Sequence, residues 1–151
     1  MKKGLKLFSI GFCLSISIWG CQGNKNTEQD HFSLNSIEDL KTRQYAIEGQ
    51  VLYENYCANC HQTDGTGLGQ LIPPLKDADY LKEDVGRAIR IIKHGIKGEI
   101  IVNGKDYNKE MPANPGLTNL EIAEIATYIY AAFANQDKII EVKEVRTYLE
   151  E

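Results

Sequence analysis

The sequence predicts an all-α protein, and three observations support this class. Several segments carry apolar residues at spacings of three and four, the periodicity of an amphipathic helix. Helix-starting side chains precede two of these segments, whereas the alternating pattern of a strand is rare. The 151 residues suit one domain, with 42% hydrophobic and 25% charged residues. This composition excludes a wholly disordered chain and a protein that spans a membrane several times.

Residues 1–20 are predicted to be a signal peptide. Three lysines precede a mostly apolar, uncharged stretch from Leu7 to Trp19, which has the length of a signal-peptide core and is short for a membrane span. The segment Ile18-Trp19-Gly20-Cys21 resembles the cleavage site of bacterial lipoproteins, although Trp19 departs from that pattern. In those proteins the cysteine becomes the lipidated first residue, so Cys21 is the predicted lipidation site.

Two other interpretations of this segment stay open, namely an uncleaved membrane anchor and an ordinary signal peptide cut elsewhere. All three export the chain. The lipoprotein interpretation predicts a lipidated cysteine and flexible polar tether over residues 21–35, on a bacterial membrane and facing the periplasm or the cell exterior. Removal of residues 1–20 would change the net charge from −4 to −7. This acidity disfavours a nucleic-acid partner.

The predicted domain, residues 36–135, starts with helical patterns. Ser36 to Asp39 has a spacing typical of a capping box, which would start a short helix. The pattern stays helical from Arg43 to Tyr56. The apolar stripe predicted for this helix consists of Ala46, Ile47, Gln50, Val51, Tyr53 and Glu54. Residues 62–75 hold three glycines and two prolines, so a loop is expected there.

Two further helices are predicted in the domain. One runs from Asp84 to Lys93 and ends at the glycines that follow, whereas residues 99–117 read as irregular. The other has a capping box made by Thr118 and Glu121. Its predicted buried side consists of Ile122, Ile125, Ala126, Ile129 and Phe133. Residues 136–151 form a C-terminal extension, for which we expect a brief extended piece and a short helix.

The motif Cys57-Ala58-Asn59-Cys60-His61 carries the most chemical information. Its spacing is typical of covalent c-type haem attachment, because two thiols on one helical turn can bond the same porphyrin while the adjacent histidine ligates the iron. A thioredoxin-like redox pair would instead start a helix after a strand, and a zinc site would need a second pair of ligands. A disulfide would leave His61 unexplained. We therefore predict one covalently bound haem c.

The sixth iron ligand is predicted to be Met111, the one methionine outside the predicted signal peptide. It lies in a Pro-rich, non-helical segment, an unusual place for a methionine that merely fills the core. Methionine opposite histidine raises the reduction potential and leaves no open coordination position. His94 is the alternative ligand, although a histidine at a helix end is also explained by the helix dipole.

Together these residues resemble a monohaem cytochrome c of the His–Met type over about residues 42–135. Gly49, Tyr53 and Cys57 match that family's first helix at intervals of four. The resemblance implies the cytochrome c fold, with the N- and C-terminal helices crossing and covalent haem in the core. Gly49 would permit the close crossing, with Ile125 and Tyr128 as its contacts.

The resemblance also extends to the loops. Asp64-Gly65-Thr66-Gly67 and Ile72-Pro73-Pro74-Leu75 fit the family. They imply that the Pro73 carbonyl accepts a hydrogen bond from the ring N–H of His61, and that Leu75 packs on the haem face. Tyr107 or Asn103, both ahead of Met111, would contact a propionate or the ligand sulfur, with core or surface packing as the alternative.

The expected function is single-electron transfer outside the cytoplasm between redox protein donors and acceptors. The protein would be a monomer tethered to the membrane through its lipid, and not an enzyme. Two alternatives stay open. One is a haem subunit of a larger oxidoreductase. The other is a haem enzyme or sensor with an open sixth site, for which the sequence offers no evident distal acid or base cluster.

Overall fold

Six α-helices and one hairpin make up the part of the chain that a computed structural model describes, residues 32–150. The helices are α1 (Leu40–Tyr56), α2 (Ala58–His61), α3 (Asp79–Glu83), α4 (Val85–His94), α5 (Asn119–Ala134) and α6 (Val142–Glu150). The strands are β1 (Ile100–Val102) and β2 (Lys105–Tyr107). The predicted helical class is confirmed. The predicted signal peptide, Cys21 and most of the predicted tether lie outside the described residues.

The crossing of α1 and α5 organises the fold, as the sequence predicted. At Gly49 a Cβ atom would collide with the backbone carbonyl of Glu124 and would lie 2.9 Å from Cβ of Tyr128. The two backbones therefore approach as closely as a glycine permits. Tyr128 contacts Gly49 as predicted. The other nearest residue is Glu124, and not Ile125 as expected.

Two details of α1 differ from the sequence prediction. Asp39, and not Ser36, caps the helix, because its carboxylate accepts a 2.7 Å hydrogen bond from the backbone N–H of Thr42. The predicted apolar stripe is wrong at Ile47 and Val51, which are 45% and 53% exposed, and at Glu54, which is exposed as well. The buried side consists of Thr42, Ala46, Gly49 and Tyr53. Mostly small residues line this side because α5 crosses there at close range.

Helix α5 forms the centre of the core. Its predicted capping box is confirmed, since Thr118 and Glu121 exchange side-chain to backbone hydrogen bonds. Eleven of its sixteen residues are buried, among them every residue of the predicted buried side. Such burial means that neighbours cover α5 on more than one face. Within residues 32–150, no helix is long and apolar enough to cross a membrane.

The hairpin and α3 were not anticipated from the sequence. Strands β1 and β2 are antiparallel, with Val102 opposite Lys105, and the predicted turn joins them. Asn103 and Gly104 both have positive φ, at 51° and 73°, as a tight hairpin turn requires. Asp79 and Asn103 each accept a backbone N–H from the other residue, which ties the turn to the start of α3. Strands of three residues are too short to be recognised from an alternation of apolar and polar residues in the sequence.

We expect Gly49→Ala to lower the free energy of unfolding of the haem-loaded protein by about 1–3 kcal/mol, because the added methyl overpacks a helix contact. The atom it meets is a backbone carbonyl, so one helix must shift. Chemical unfolding followed by circular dichroism measures the change. Gly116→Ala is the matched control, since a Cβ there meets nothing within 4 Å. Equal stability of the two variants would contradict the close crossing.

Candidate functional site

Helices α1 and α2 hold the Cys57-to-His61 motif. The N–H of Cys57 donates to the Tyr53 carbonyl at 2.8 Å, and the N–H of His61 donates to the Cys57 carbonyl at 2.9 Å. The Tyr53 hydroxyl donates to the carbonyl of Gln62 at 2.6 Å, which ties the end of α2 back to α1. The two cysteines and the histidine are thus held on one short helical segment.

The loop after the motif orients His61. The residue is only 8% exposed, and its Nδ1 lies 3.1 Å from the Pro73 carbonyl oxygen, to which it donates. This is the contact that the family resemblance implied, and it leaves Nε2 as the ring nitrogen for a metal. At Gly67 (φ 71°) a Cβ would meet the Pro73 carbonyl oxygen at 2.6 Å. A glycine there allows the loop to fold tightly enough to bring Pro73 to the ring.

A cavity of about 230 Å³ collects the predicted site residues. Its lining includes seven of them, namely Cys57, Cys60, His61, Pro73, Leu75, Tyr107 and Met111. Most of the remaining wall is apolar side chains from α1, α3, α4, α5 and the hairpin. His94 is exposed at the end of α4 and does not line the cavity. Of the predicted site residues, Cys21 alone lies outside the described chain.

Met111 reaches the cavity from an irregular segment that is fastened to the end of α4. Ile96 and Met111 exchange two backbone hydrogen bonds, each of 3.0 Å. Gly95 (φ 72°) ends α4, and a Cβ there would collide with the Met111 carbonyl. This close contact between the two backbones fixes the position of Met111 in the wall of the cavity.

Burial determines the protonation of the motif. It raises the pKa of the Cys57 thiol to about 12, with a further contribution from Cys60. A redox-active dithiol needs a lowered pKa, so this environment does not suit one. Burial also lowers the pKa of His61 against the opposing effect of the Pro73 hydrogen bond. The imidazole is therefore neutral, which is the form that ligates a metal. Residues 32–150 contain no cluster of three or more His, Cys, Asp and Glu side chains placed to hold a metal ion.

Arg87 is a site residue that the sequence analysis missed. Its guanidinium lies 3.7 Å from the ring centroid of Tyr80, and Nη2 donates to the Tyr80 carbonyl at 2.6 Å. Its Nε is buried in the cavity wall without a hydrogen-bond partner. A buried unpaired donor favours an anionic ligand group, and the two propionates of haem are such groups. The guanidinium already pairs with the Glu83 carboxylate at 3.2 Å, so what it offers is the Nε donor. The site therefore fits haem in its thiols, its histidine, its apolar wall and this unpaired donor.

Comparisons with known proteins agree with this geometry. A family model described as cytochrome c matches residues 46–132. The chain is 33% identical to cytochrome c-552 of Thermus thermophilus over 96 residues, which cover 61% of this chain and 72% of that protein. It is also 33% identical to cytochrome c-551 of Bacillus subtilis over 95 residues, which cover 63% of this chain and 78% of that protein.

Proposed function

Because the chain belongs to the cytochrome c family and binds covalent haem c, we propose that it is a monohaem carrier of single electrons. Cys57 and Cys60 attach the haem, and His61 and Met111 are the axial ligands. Bound haem supplies one-electron exchange between Fe(II) and Fe(III), whereas the chain supplies binding, orientation and electrostatics. With both axial positions taken, the protein has no open site for a substrate and is not an enzyme.

One observation carries this proposal: the motif residues and a methionine that is distant from them in sequence line the same cavity. Cys57, Cys60 and His61 come from α2 and its start, whereas Met111 lies 50 positions further along the chain. Thioether sulfur and imidazole nitrogen are the ligand pair of electron-transfer cytochromes c, and together they leave no open position on the iron. The arrangement thus supports electron transfer over catalysis.

The surrounding residues tune this site. Pro73 holds His61 in the neutral tautomer that presents Nε2, which makes the imidazole a better ligand. The apolar wall, to which Leu75 and the buried Tyr107 contribute, excludes water and so raises the reduction potential. Arg87, whose buried Nε has no partner, would supply a hydrogen-bond donor for a haem propionate.

Absorption spectra of the purified protein test the proposal. We expect haem absorbance that stays with the unfolded polypeptide, and a weak far-red band of Met-ligated Fe(III). Loss of the haem on denaturation would contradict attachment by Cys57 and Cys60. Rapid binding of carbon monoxide or cyanide at neutral pH would contradict a closed sixth position and would favour the haem enzyme or sensor.

We also propose that the protein is exported and held to a bacterial membrane by lipid on Cys21, as a monomer that exchanges electrons with redox proteins. The basic start, the apolar core over residues 7–19 and the lipoprotein-like residues 18–21 support this. A diacylated cysteine would anchor the protein stably. Migration as part of a larger purified complex would instead favour a fixed haem subunit.

Cys21→Ser is expected to shift the protein from the membrane to the soluble exported fraction, because serine cannot accept the lipid. Fractionation of cells, followed by detection of haem in each fraction, measures the shift. Cys13→Ser is the matched control, since Cys13 lies within the predicted signal peptide. A Cys21→Ser protein that stays in the membrane fraction would overturn the lipid anchor and favour an uncleaved membrane segment.

A further inference from the structure

The described part of the C-terminal extension, residues 136–150, lies beyond the matched family region yet is tightly packed. Ile140 and Val145 are 1% and 0% exposed. The backbone N–H of Ile140 donates to the buried hydroxyl of Thr127 on α5 at 3.0 Å. Lys41, at the start of α1, forms a 2.9 Å ion pair with Glu141. The extension is therefore a fixed part of the fold.

Helix α6 of this extension supports the outer side of α4. Its Tyr148 ring lies where a side chain on Gly86 would be, since a Cβ there would come within 2.6 Å of the ring. Arg90 Nη1 donates to the Tyr148 carbonyl at 3.3 Å. Contacts of α4 with α6 are more extensive than those of α4 with α5. The position of α4 therefore depends on the extension.

The other side and the end of α4 belong to the haem site. Ala88, Ile91 and Ile92 line the cavity. Asn114 Nδ2 donates to the Ile92 carbonyl at 3.1 Å, and Lys93 Nζ donates to the Leu117 carbonyl at 2.6 Å. The segment that carries Met111 has no helix or extended strand of its own, so these bonds to the last turn of α4 and the Ile96 pairing locate it.

We propose that the C-terminal extension positions the axial methionine through α4. Tyr148 is a positioning residue: its ring fills the place left by Gly86 and keeps α4 seated, and α4 in turn keeps Met111 over the cavity. Both connections run through packed side chains and hydrogen bonds, the kind of contiguous contact that carries coupling between sites. The inference rests on the proposed function, because it takes Met111 as the iron ligand.

The test is the rate at which cyanide replaces the methionine on Fe(III) in the haem-loaded protein. Removal of the Tyr148 ring leaves a gap beside Gly86. Helix α4 is then held less firmly, so Met111 leaves the iron more often. We expect Tyr148→Ala to raise this rate by roughly 2- to 30-fold, the range typical of mutations along a coupled network. The Tyr148→Ala variant is expected to keep its covalent haem. Tyr148→Phe is expected to keep the wild-type rate, because the contacts to α4 involve the ring and the backbone carbonyl.

A destabilised variant away from α4 separates positioning from general loss of stability. Ile37, 1% exposed, packs with Ala46 and Ala131 in a separate apolar cluster. Ile37→Ala is expected to unfold at lower denaturant while it binds cyanide at the wild-type rate. A wild-type rate in Tyr148→Ala, or an equal acceleration in Ile37→Ala, would overturn the inference. Absence of the far-red band from the wild-type protein would instead overturn Met111 ligation, and the inference with it.

Discussion

Replacement of both Cys57 and Cys60 by serine is expected to abolish covalent haem attachment and to leave a chain that does not fold stably. A serine hydroxyl does not form the thioether through which each cysteine holds the porphyrin. Without haem, the cavity of about 230 Å³ has no occupant at the centre of the core. Its apolar wall then faces water, and at roughly 25 cal/mol per Å² of apolar surface this costs on the order of 5 kcal/mol, which is comparable with the whole stability of a small domain.

Haem absorbance of the denatured polypeptide and a thermal melt followed by circular dichroism measure the two effects. Asn59→Ser is the matched control, because Asn59 lies between the cysteines and is exposed. It is expected to keep both the haem and the melting transition. Haem that stays bound to the denatured double variant would show that the thiols are not the attachment sites.

Met111→Ala is expected to remove the far-red band, to open the sixth position and to lower the reduction potential by on the order of 0.1 V. Axial ligands move haem potentials within a range of about 0.8 V, and the thioether favours Fe(II). Alanine cannot reach the iron, so water or added cyanide takes the vacated position. Redox titration and cyanide binding measure these changes while the covalent haem remains.

His94→Ala distinguishes the two candidate ligands. His94 is exposed at the end of α4 and outside the cavity lining, so its removal is expected to leave the far-red band and the potential unchanged. A variant at position 94 that loses the band, alongside a Met111→Ala protein that keeps it, would reverse the assignment.

Local sequence patterns were sufficient for most of the helical fold. The bounds predicted for α4 differ by one residue from those observed, because Asp84 caps its start and Gly95 ends it. The capping box of α5 is likewise a local interaction between residues three apart. By contrast, the periodicity of α1 did not identify its buried side. A helix with apolar residues on two sides does not encode which side its neighbour covers.

In the candidate site, too, some residues were predicted from the sequence and others were not. The spacing of Cys57, Cys60 and His61 follows from the geometry of one helical turn, so the sequence alone was enough to predict haem attachment. Met111 was predicted by elimination, since it is the one methionine outside the predicted signal peptide. Arg87 could not be found in this way, because a basic residue on an amphipathic helix usually faces solvent.

Short-range features of the sequence therefore determine the haem chemistry and most helix ends of this protein. These features are a five-residue motif, one methionine and the caps of the helices. The tertiary structure decided which surfaces meet. It placed Arg87, with its unpaired Nε, in the wall of the cavity and packed α6, at the end of the chain, against α4. Such contacts depend on how closely helices cross and on which small residues, such as Gly49 and Gly86, permit the approach. No local pattern of residue types specifies a contact between positions 62 residues apart, as Gly86 and Tyr148 are.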